Sequence, residues 1–419
     1  MAERGIGKYL AWLALSGLVQ PGTGYAAIPV HLSGFGTLGV ALEHHADLAP
    51  LRDNNQRKDP GKNINTADSI LGVQLATALS DQWRATAQWT WRERPEQGLD
   101  ESTEWLFLGY RPRPEWDVRV GRVAVDMFQL SDFRRVDYAN LWVRPPTELY
   151  AWILPASLDG GDVAVDIRDG ERYWRFKLQY GKTDPWLDAP DGTQTFHTEF
   201  NQFLVATATL DYENWKGRIS YSQARTADSV PGFVPALSGL AAIPGIPGPV
   251  GQEAAELARR LSTSAERVRY WQGSLGYDNG KWILDTEVAR QTTSGTFAPT
   301  GTAGYVSVGY RWGNWTPYLV HARFFPDAEP FESQADWNAV PGIAGLRDAA
   351  LDIINGVLIS QRTWSLGARW DPAPRYAFKM QWDHTRVASD QYALWAHRNG
   401  RSHEDAVVNI LSFSLSFVF

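Results

Sequence analysis

The sequence contains no cysteine, and this absence excludes several kinds of chemistry. A chain without thiols forms no disulfide, offers no thiolate ligand to a metal and has no cysteine nucleophile. It also lacks the glycine-rich loop that cradles nucleotide phosphates. The formal net charge of −7 gives no overall electrostatic support for a nucleic-acid partner. Disulfide-stapled domains, thiol enzymes and nucleic-acid-binding proteins are therefore disfavoured.

Long apolar runs are scarce as well. The one candidate for a membrane-crossing helix is residues 9–19, which follow Arg4 and Lys8 at the amino terminus. This run is too short to cross a bilayer, because a spanning helix needs about 20 apolar residues. A basic start, a short apolar run and a small residue at Ala26 instead predict a signal peptide over residues 1–26.

Aromatic residues, in contrast, are abundant, with 20 Trp, 17 Phe and 16 Tyr. Many recur at every second position, which is the period of a β-strand. In residues 82–93 the polar side chains fall on even positions, from Arg84 to Arg92, and the apolar ones on odd positions. A lipid-facing Arg or Lys at the bilayer midplane costs about 2 to 4 kcal/mol, so the apolar face must meet lipid and the polar face water.

Sixteen such segments are expected to form one transmembrane antiparallel β-barrel, an all-β fold with a single domain over residues 27–419. The predicted strands lie near residues 30–42, 70–80, 82–93, 102–112, 116–125, 161–168, 171–181, 201–213, 215–226, 267–278, 281–292, 303–313, 315–325, 360–371, 374–387 and 404–419. A hairpin hidden in the fifth or seventh long connection would raise the number to eighteen.

The connections between the predicted strands alternate in length. After each even-numbered strand the link is a tight turn, such as those at Asp169, Asp278 and Gly313. Glycine and proline in these turns supply the backbone angles that a reversal needs. After each odd-numbered strand the link is long. Short turns at one end and long loops at the other are the pattern of a closed membrane barrel with both termini on the short-turn side.

The last segment of the chain shows the alternation clearly. One face carries Val407, Leu411, Phe413, Leu415, Phe417 and Phe419, and the other carries Ser412, Ser414 and Ser416. This segment resembles the closing strand of bacterial outer-membrane β-barrels, in which the final phenylalanine serves as an assembly signal. The resemblance gives Phe419 that role here.

Signal peptide, sixteen strands, short turns and a long third loop together make the chain resemble the general porin superfamily of Gram-negative bacteria. The resemblance implies an outer-membrane channel for passive diffusion of small hydrophilic solutes, without catalysis, cofactor or bound metal. It also implies insertion by the barrel assembly machinery, contact with outer-membrane lipid and lipopolysaccharide, and a homotrimer. The small residues of 33–41 would give a flat outer surface for a neighbouring subunit.

The third long connection, residues 126–161, is rich in aromatic residues. They include Phe128, Phe133, Tyr138, Trp142, Tyr150 and Trp152. Such a set would form an unfavourable apolar patch in water, so we expect these side chains to pack against the barrel interior. In porins the third loop narrows the pore, and the resemblance implies the same here, with Asp126, Asp132 and Asp137 among its acids. Packing outside the pore, on neighbouring loops or across a trimer axis, is the alternative.

The strand alternation also assigns charged residues to the lumen. The basic ones are Arg84, Arg92, Arg119, Arg168, Arg175, Lys177, Lys216, Arg218, Arg311, Arg323, Arg369 and Lys379. The acidic ones are Asp117, Asp162, Asp166, Asp211, Asp285, Glu287 and Asp383. Rings of charge determine which ions a pore admits, so this wall predicts a preference for anions. The residues expected along the solute path are Arg84, Arg92, Arg119, Arg175, Lys177, Arg218 and Arg311. Pairing of these groups with neighbouring acids is the structural alternative.

Two other loops and one histidine pair also lead to predictions. The first long loop, residues 43–69, is polar and is expected to be solvated and mobile. The fifth, residues 227–266, is apolar and rich in proline and glycine, and ends in a helical pattern. It is expected to cap the extracellular rim, with a subunit contact or a substrate vestibule as alternatives. His44 and His45 lie beside acids, but adjacent exposed histidines seldom hold a metal.

The sequence therefore favours an outer-membrane diffusion channel. A substrate-specific channel for organic acids or sugar acids would use the same arginines as a binding ladder. A barrel enzyme or adhesin with a plugged pore is the alternative of another class. No arrangement of Ser, His and Asp or Asn on one strand face supports a barrel hydrolase.

Overall fold

The computed structural model describes residues 29–59, 61, 64–152, 156–189, 191–227, 231–240, 242–262, 265–398 and 404–419. The predicted signal peptide lies outside the described residues.

Sixteen antiparallel strands form one closed sheet. They are β1 Val30–Leu42, β2 Ile70–Ala78, β3 Trp83–Arg92, β4 Thr103–Tyr110, β5 Trp116–Ala124, β6 Ser157–Asp169, β7 Arg172–Thr183, β8 Phe200–Tyr212, β9 Trp215–Thr226, β10 Arg267–Asp278, β11 Trp282–Thr293, β12 Gly301–Tyr310, β13 Trp315–Pro326, β14 Ile359–Ala373, β15 Tyr376–Tyr392 and β16 Ala406–Val418. Each strand pairs with its sequence neighbours. The closed sixteen-stranded barrel is thus confirmed.

The barrel closes where β16 pairs with β1. Leu38 lies opposite Leu415, and Thr37 lies opposite Ser416. The Thr37 and Ser416 hydroxyls are 3.0 Å apart and buried. Closure leaves no free sheet edge, which would otherwise expose unpaired backbone groups to lipid.

Two rows of side chains alternate along each strand. On β15 the exposed outward row is Tyr376, Phe378, Met380 and Trp382, and the buried inward row is Ala377, Lys379, Gln381 and Asp383. The same division on β16 leaves Leu411 and Phe413 exposed and buries Ser412 and Ser414. Apolar side chains therefore cover the outside of the barrel at these strands, as predicted.

Strand β13 departs from the predicted assignment. Its buried row is Thr316, Tyr318, Val320, Ala322 and Phe324, while His321 and Arg323 lie in the outward row. Arg323, predicted to face the lumen, is exposed on the outside, and its guanidinium carbon lies 4.0 Å from the ring centroid of Phe325. The prediction for this residue was wrong because the inward row of β13 is mostly apolar.

The short turns all lie at one end of the barrel, here termed the turn end, and the long connections lie at the other, the loop end. Gly170, Gly280 and Gly313 have φ of 59°, 85° and 59° in three of the turns. A side chain is disfavoured at such angles, which accounts for glycine there. Glu213 and Arg375 take positive φ in two other turns, at 52° and 73°.

Within their described residues, the long connections contain five short helices. They are α1 Leu99–Ser102, α2 Thr147–Tyr150, α3 Val234–Leu240, α4 Gly248–Leu261 and α5 Ala344–Gly356, with 3₁₀ turns at Ser131–Phe133, Asp137–Ala139 and Trp337–Ala339. Two-stranded pairs also form, of Leu48–Pro50 with Trp395–His397 and of Trp186–Asp188 with Thr195–His197, and Ile64–Asn65 pairs with β1. None of the helices among the described residues is long and apolar enough to cross a membrane.

The fifth and seventh loops pack together at the loop end, and we call this unit the cap. It comprises α3, α4, α5 and the turn at Trp337–Ala339. Leu237, Leu257, Leu261 and Trp337 are fully buried in one apolar cluster with Ile354. Helices occupy both loops where an extra hairpin would be needed for eighteen strands. The apolar fifth loop therefore covers itself by packing on the seventh.

Glu253 of α4 connects the two loops of the cap. Its carboxylate accepts hydrogen bonds from the backbone N–H groups of Gln334 and Ala335, both at 3.0 Å, and from Trp337 Nε1 at 2.8 Å. Ser333 Oγ is a further donor. Desolvation opposes ionisation, but these donors hold the pKa of Glu253 below its ordinary value of 4.5.

Replacing Glu253→Gln is expected to loosen the seventh loop on α4. Hydrogen bonds to a charged acceptor contribute about 1.5 to 3 kcal/mol, so exchange of the Gln334 and Ala335 amide hydrogens should quicken roughly tenfold or more. Because the folded pKa is lowered, the stabilisation is present above pH 4.5 and is lost as the pH falls through the folded value. Hydrogen exchange by mass spectrometry measures both effects. Glu256→Gln, which removes a pair with Arg259 and Arg260 of the same helix, should leave both amides unchanged.

Candidate pore and constriction site

The connection between β5 and β6, residues 125–156, is here called loop 3. Six aromatic residues of this loop were expected to pack against the barrel interior. Phe128, Trp142, Tyr150 and Trp152 are buried, and Phe133 and Tyr138 are partly exposed. The buried rings pack on aromatic residues of the inward rows. Their partners are Tyr270 of β10, Tyr305 of β12 and Phe324 of β13, with ring centroids 5.5 to 6.2 Å apart. The aromatic character of the loop is therefore explained by contact with the wall.

Polar contacts also join loop 3 to inward side chains around the barrel. Trp142 Nε1 donates to Ser307 Oγ of β12 at 2.8 Å, and the Val143 N–H donates to Gln381 Oε1 of β15 at 3.1 Å. Lys379 Nζ of β15 donates to the carbonyl oxygens of Asp137, Asn140 and Trp142, at 2.5, 2.7 and 2.8 Å. These contacts satisfy backbone groups that the burial of an irregular loop would otherwise leave unpaired.

The acid Glu148 of α2 and the wall acid Glu287 are both buried and hydrogen-bonded across the loop–wall boundary. Glu148 accepts from Gln361 Nε2 at 2.8 Å and from the Thr363 hydroxyl, both on β14. Glu287 of β11 accepts from the Tyr150 hydroxyl of loop 3. Neither carboxylate has a basic partner within 4 Å among the described residues, so hydrogen bonds supply most of what offsets their burial, with the charge of Arg218 also acting on Glu287.

The first long connection, residues 43–69 and here called loop 1, contributes a set of buried ion pairs. Arg52 pairs with Asp137 of loop 3 at 2.6 Å, and Asp53 pairs with Arg135 of loop 3 at 2.6 Å. All four side chains are less than 9% exposed. The prediction that loop 1 is solvated was wrong, because its charged side chains are buried in ion pairs with residues of loop 3.

Arg144 of loop 3 extends this network to the wall. Its guanidinium lies 2.6 Å from Asp68 of loop 1 and 3.0 Å from Asp383 of β15, and it donates to Ser412 Oγ of β16 at 2.7 Å. Asp68 is also 3.5 Å from Arg52. We call the set Arg52, Asp53, Asp68, Arg135, Asp137, Arg144 and Asp383 the buried ion-pair network.

Electrostatics within loop 1 follow from this pairing. Burial opposes ionisation of Asp53, yet the charges of Arg92 and Arg135 hold its pKa below the ordinary range. Arg92, predicted to lie along the solute path, is itself buried and 3.5 Å from Asp53. Lys58 shows the opposite outcome, since burial lowers its pKa to about 8 despite the neighbouring charge of Asp188.

Three arginines remain partly exposed on the inward rows of consecutive odd-numbered strands, and we call them the arginine ladder. Arg84 of β3, Arg119 of β5 and Arg175 of β7 have side chains 30%, 12% and 33% exposed. Each has an acid partner, Asp117 at 2.6 Å, Asp162 at 2.6 Å and Asp166 at 3.2 Å respectively. The acids are less exposed, at 9%, 1% and 18%. The guanidinium groups therefore present more surface to solvent than their partners do.

Two other predicted basic residues converge on one acid of loop 3. Lys177 of β7 and Arg218 of β9 lie 2.7 and 2.6 Å from the Asp126 carboxylate, and all three are largely buried. Asp132 of loop 3, in contrast, is exposed and acts electrostatically on Arg119, Arg175 and Arg218. Asp126 thus anchors the loop, while Asp132 stays exposed and acts on two residues of the arginine ladder, Arg119 and Arg175.

The remaining predicted lumen residues lie at or near the turn end. Arg311 pairs with Asp278, and Arg369 is 2.8 Å from Asp371 while donating to the carbonyl of Tyr138 at 2.7 Å. Lys216 is 3.8 Å from Asp211, and Arg168 is exposed at the end of β6. Most of the basic residues predicted to line the lumen are therefore paired with acidic side chains, which is the structural alternative to a wall of free positive charge.

The histidine pair at the start of loop 1 makes local hydrogen bonds. His45 Nδ1 accepts from the Asp47 and Leu48 N–H groups, both at 3.2 Å, and Glu43 accepts from the His45 N–H at 2.8 Å. Within the part of the chain that the structure describes, no group of three or more His, Asp or Glu residues is placed to hold a metal ion.

The fold matches solved structures of outer-membrane channels. An anion-selective porin from Comamonas acidovorans has a TM-score of 0.52 at 11% identity, over 94% of this chain and 100% of that one. OmpF of Salmonella typhi, in complex with daunomycin, has a TM-score of 0.52 at 11% identity, over 94% and 98%. The channel DcaP of Acinetobacter baumannii has a TM-score of 0.51 at 10% identity, over 94% and 99%.

The chain has the porin fold. No protein-family model matches the sequence, and no curated protein matches it. At 10 to 11% identity these comparisons establish the architecture of the porin-like barrel and leave its chemistry to its own residues. A closed barrel with apolar outward rows and polar inward rows fits the bacterial outer membrane.

Proposed function

We propose that the protein is an outer-membrane diffusion channel for small hydrophilic solutes, with a constriction between the arginine ladder and loop 3. The observation that carries this proposal is the partial exposure of Arg84, Arg119 and Arg175 on the inward rows, with the exposed Asp132 acting on Arg119 and Arg175. In this proposal the turn end faces the periplasm and the loop end faces the outside, as in a porin. Loop 3 lies inside the barrel and narrows it from the side of β9 to β16.

The transverse arrangement of charge supports this role. In this proposal the guanidinium groups lie on one side of the passage and Asp132 on the other, so a polar solute would meet opposite charges across the narrowest part. A low-dielectric wall strengthens the field between them. Because the arginines are more exposed than their acid partners, we propose a modest preference for anions. The pairing of each arginine limits that preference.

Planar-bilayer recording tests the channel proposal. Purified protein should insert with discrete conductance steps in potassium chloride, and a salt gradient should give a zero-current potential of the sign that indicates anion preference. The same recording on denatured protein is the control. If no conductance steps appear in any salt, the channel proposal is wrong. A plugged barrel with an enzymatic or adhesive role on its outer loops would then be favoured.

A substrate-specific channel is the second candidate. The buried ion-pair network and loop 3 leave inward side chains such as Thr90, Glu287 and Ser416 fully buried, which favours a narrow passage. Organic acids and sugar acids would bind the arginine ladder through their carboxylates. Saturable flux of one such solute in proteoliposomes would support this candidate. Flux that rises linearly with concentration would count against it.

We propose that Phe419 is an assembly signal, as the resemblance implies, although it also takes part in closure. Its backbone exchanges two hydrogen bonds of 2.9 Å with Gly34 of β1. Replacing Phe419→Ser keeps those bonds, so we expect purified variant to refold with an unchanged unfolding temperature while its level in the outer membrane falls severalfold. Fractionation of cells measures the level. Phe419→Tyr, which keeps the ring, should be close to wild type, and equal levels of all three proteins would contradict the assignment.

We also propose the porin-like partnership of a homotrimer inserted by the barrel assembly machinery. On the outer surface of β1, the rings of Phe419 and Phe417 fill the space above Gly34 and Gly36, so a neighbouring subunit would contact these rings.

A further inference from the structure

A group of buried arginines lies where loop 1 and loop 3 meet the wall, at the loop end of β3 and β4. We call it the arginine cluster, and its members are Arg92 of β3, Arg94 just after β3, and Arg134 and Arg135 of loop 3, together with the acids Asp53 of loop 1 and Glu104 of β4. All six residues are less than 9% exposed. The cluster is therefore separate from the arginine ladder, whose guanidinium groups reach solvent.

Positive charge exceeds negative charge in the arginine cluster. Asp53 lies 2.6 Å from Arg135 and 3.5 Å from Arg92. Glu104 lies 2.8 Å from Arg94 and 3.8 Å from Arg135. Three guanidinium groups therefore share two carboxylates. Because a buried charge is costly unless an opposite charge balances it, this excess favours the binding of an anion.

Arg134 increases the positive excess. It lies next to Arg135 in loop 3, and its charge acts on the same acid, Asp53. Burial, together with the positive charge of Arg135, lowers the pKa of Arg134 to about 10. A guanidinium whose pKa is lowered in this way lies in a positive surrounding, in agreement with the count of charges.

Some hydrogen-bond donors of the cluster also remain unused. Among the described residues, Arg92 Nε and Arg135 Nε and Nη2 are buried without a hydrogen-bond partner. Glu104 Oε1, at 3.8 Å from Arg135 Nε, is too far away for a hydrogen bond. It accepts instead from Arg94 Nη2 and Thr90 Oγ1, both at 2.8 Å. Buried donors are nearly always paired, so these three N–H groups indicate a ligand.

Other arginines of the protein show what the Nε and Nη2 edge of a guanidinium binds. The two N–H groups are parallel and match two oxygens of one oxyanion. Arg119 donates from this edge to Asp162, at 2.9 and 2.6 Å. Arg122 donates from it to Asp159, at 2.7 and 2.8 Å. The same edge of Arg135 contacts no carboxylate of the described residues at hydrogen-bond distance, so it has the geometry of an oxyanion site.

We propose that the arginine cluster binds one tetrahedral oxyanion of the phosphate or sulfate type. Arg92 and Arg135 both lie beside Asp53, so one ion can reach the unused donors of both. Two oxygens accept from the fork of Arg135 and a third accepts from Arg92 Nε. A carboxylate has only two oxygens and a single charge, and it fits this donor set less well. The bound ion joins loop 3 to β3, and this role goes beyond transport.

Equilibrium dialysis of the full barrel in detergent against radiolabelled phosphate tests the proposal. Wild type should bind about one phosphate per chain, and sulfate should displace it, whereas acetate and chloride at the same concentration should not. Arg135→Lys should bind phosphate roughly tenfold more weakly or worse, because lysine keeps the charge beside Asp53 but lacks the fork. Arg122→Lys is the matched control. Its fork already contacts Asp159, so this variant should bind phosphate as wild type does.

A second variant tests the site if Arg135→Lys does not fold, as judged by heat-modifiable migration on gels. Glu104→Gln removes a negative charge 3.8 Å from Arg135, so phosphate should bind severalfold more tightly. Weaker binding by Glu104→Gln would overturn the proposal, and so would displacement of phosphate by acetate or chloride as readily as by sulfate. Equal phosphate affinity of wild type and Arg135→Lys would also overturn it and assign the ion to the arginine ladder, which that variant leaves intact. Dialysis requires no open channel, so failure here is distinct from failure of the channel proposal.

Discussion

Replacing Arg84, Arg119 and Arg175 together with serine should reverse the ion preference of the channel. The change removes three cations and leaves Asp117, Asp162 and Asp166 without their partners from the ladder. Carboxylates that have lost these partners in a low-dielectric wall attract cations, although Asp117 keeps Arg111 at 3.6 Å, so we expect the permeability ratio of chloride to potassium to fall roughly tenfold. Conductance should rise as well, because serine is much smaller than arginine. The zero-current potential in a potassium chloride gradient measures the ratio.

Two controls separate charge from size in that experiment. The triple lysine variant keeps the charge and should keep the sign of the zero-current potential. Arg347→Gln removes an arginine that pairs with Asp348 on the exposed surface of α5, and it should leave the potential unchanged. An unchanged permeability ratio in the triple serine variant would refute the placement of the constriction at the arginine ladder.

Replacing Arg144→Gln should loosen loop 3 more than any other single change that we consider. Asp68 and Asp383 would stay buried without the guanidinium that lies between them. Removing one partner of a buried pair typically costs about 3 to 5 kcal/mol, and here one residue serves two acids and Ser412. We expect a lower temperature of heat-modifiable migration, noisier single-channel current and a larger conductance. Gel migration and single-channel recording measure these effects.

A double variant isolates the pairwise part of this effect. Arg144→Gln combined with Asp68→Asn removes one of the two acids that lose Arg144, the one that keeps only the longer pair with Arg52, and should recover part of the lost stability. Asp68→Asn alone should destabilise the barrel less, because Asp383 still neutralises Arg144. If Arg144→Gln is as stable and as quiet as wild type, the buried ion-pair network does not hold loop 3 in place.

The barrel could be predicted from the sequence because each strand carries its own signal. The period of two is local, and turn residues such as Gly170 and Gly313 mark the reversals. Strand β6 begins at Ser157, earlier than predicted, because Gly160 and Gly161 interrupt the alternation at its start. The aromatic content of loop 3 likewise predicted burial correctly for Trp142 and Trp152, since such side chains need a partner wherever they lie.

The charged interior was harder to predict, because its order depends on residues far apart in the sequence. Loop 1 looked solvated, yet Arg52 meets Asp137 at a separation of 85 positions. The prediction for strand β13 failed for a related reason. Its inward row is apolar because α2 of loop 3 packs there, so the rule that polar residues face inward failed at Arg323. Neither the burial of loop 1 nor the apolar inward row of β13 can be recognised from a short stretch of the sequence.

The pairing of β16 with β1 sets the order in which the molecule can form. Thr37 and Ser416 are neighbours in the wall although 379 positions separate them in the chain. The cylinder therefore stays open until synthesis has ended, and the edge of β1 that will meet β16 stays unpaired for all of that time. Contacts of such long range form slowly, and open edges recruit other chains into aggregates. Closure during synthesis is thus ruled out by topology, and loss of a few carboxy-terminal residues would remove the seam that completes the wall.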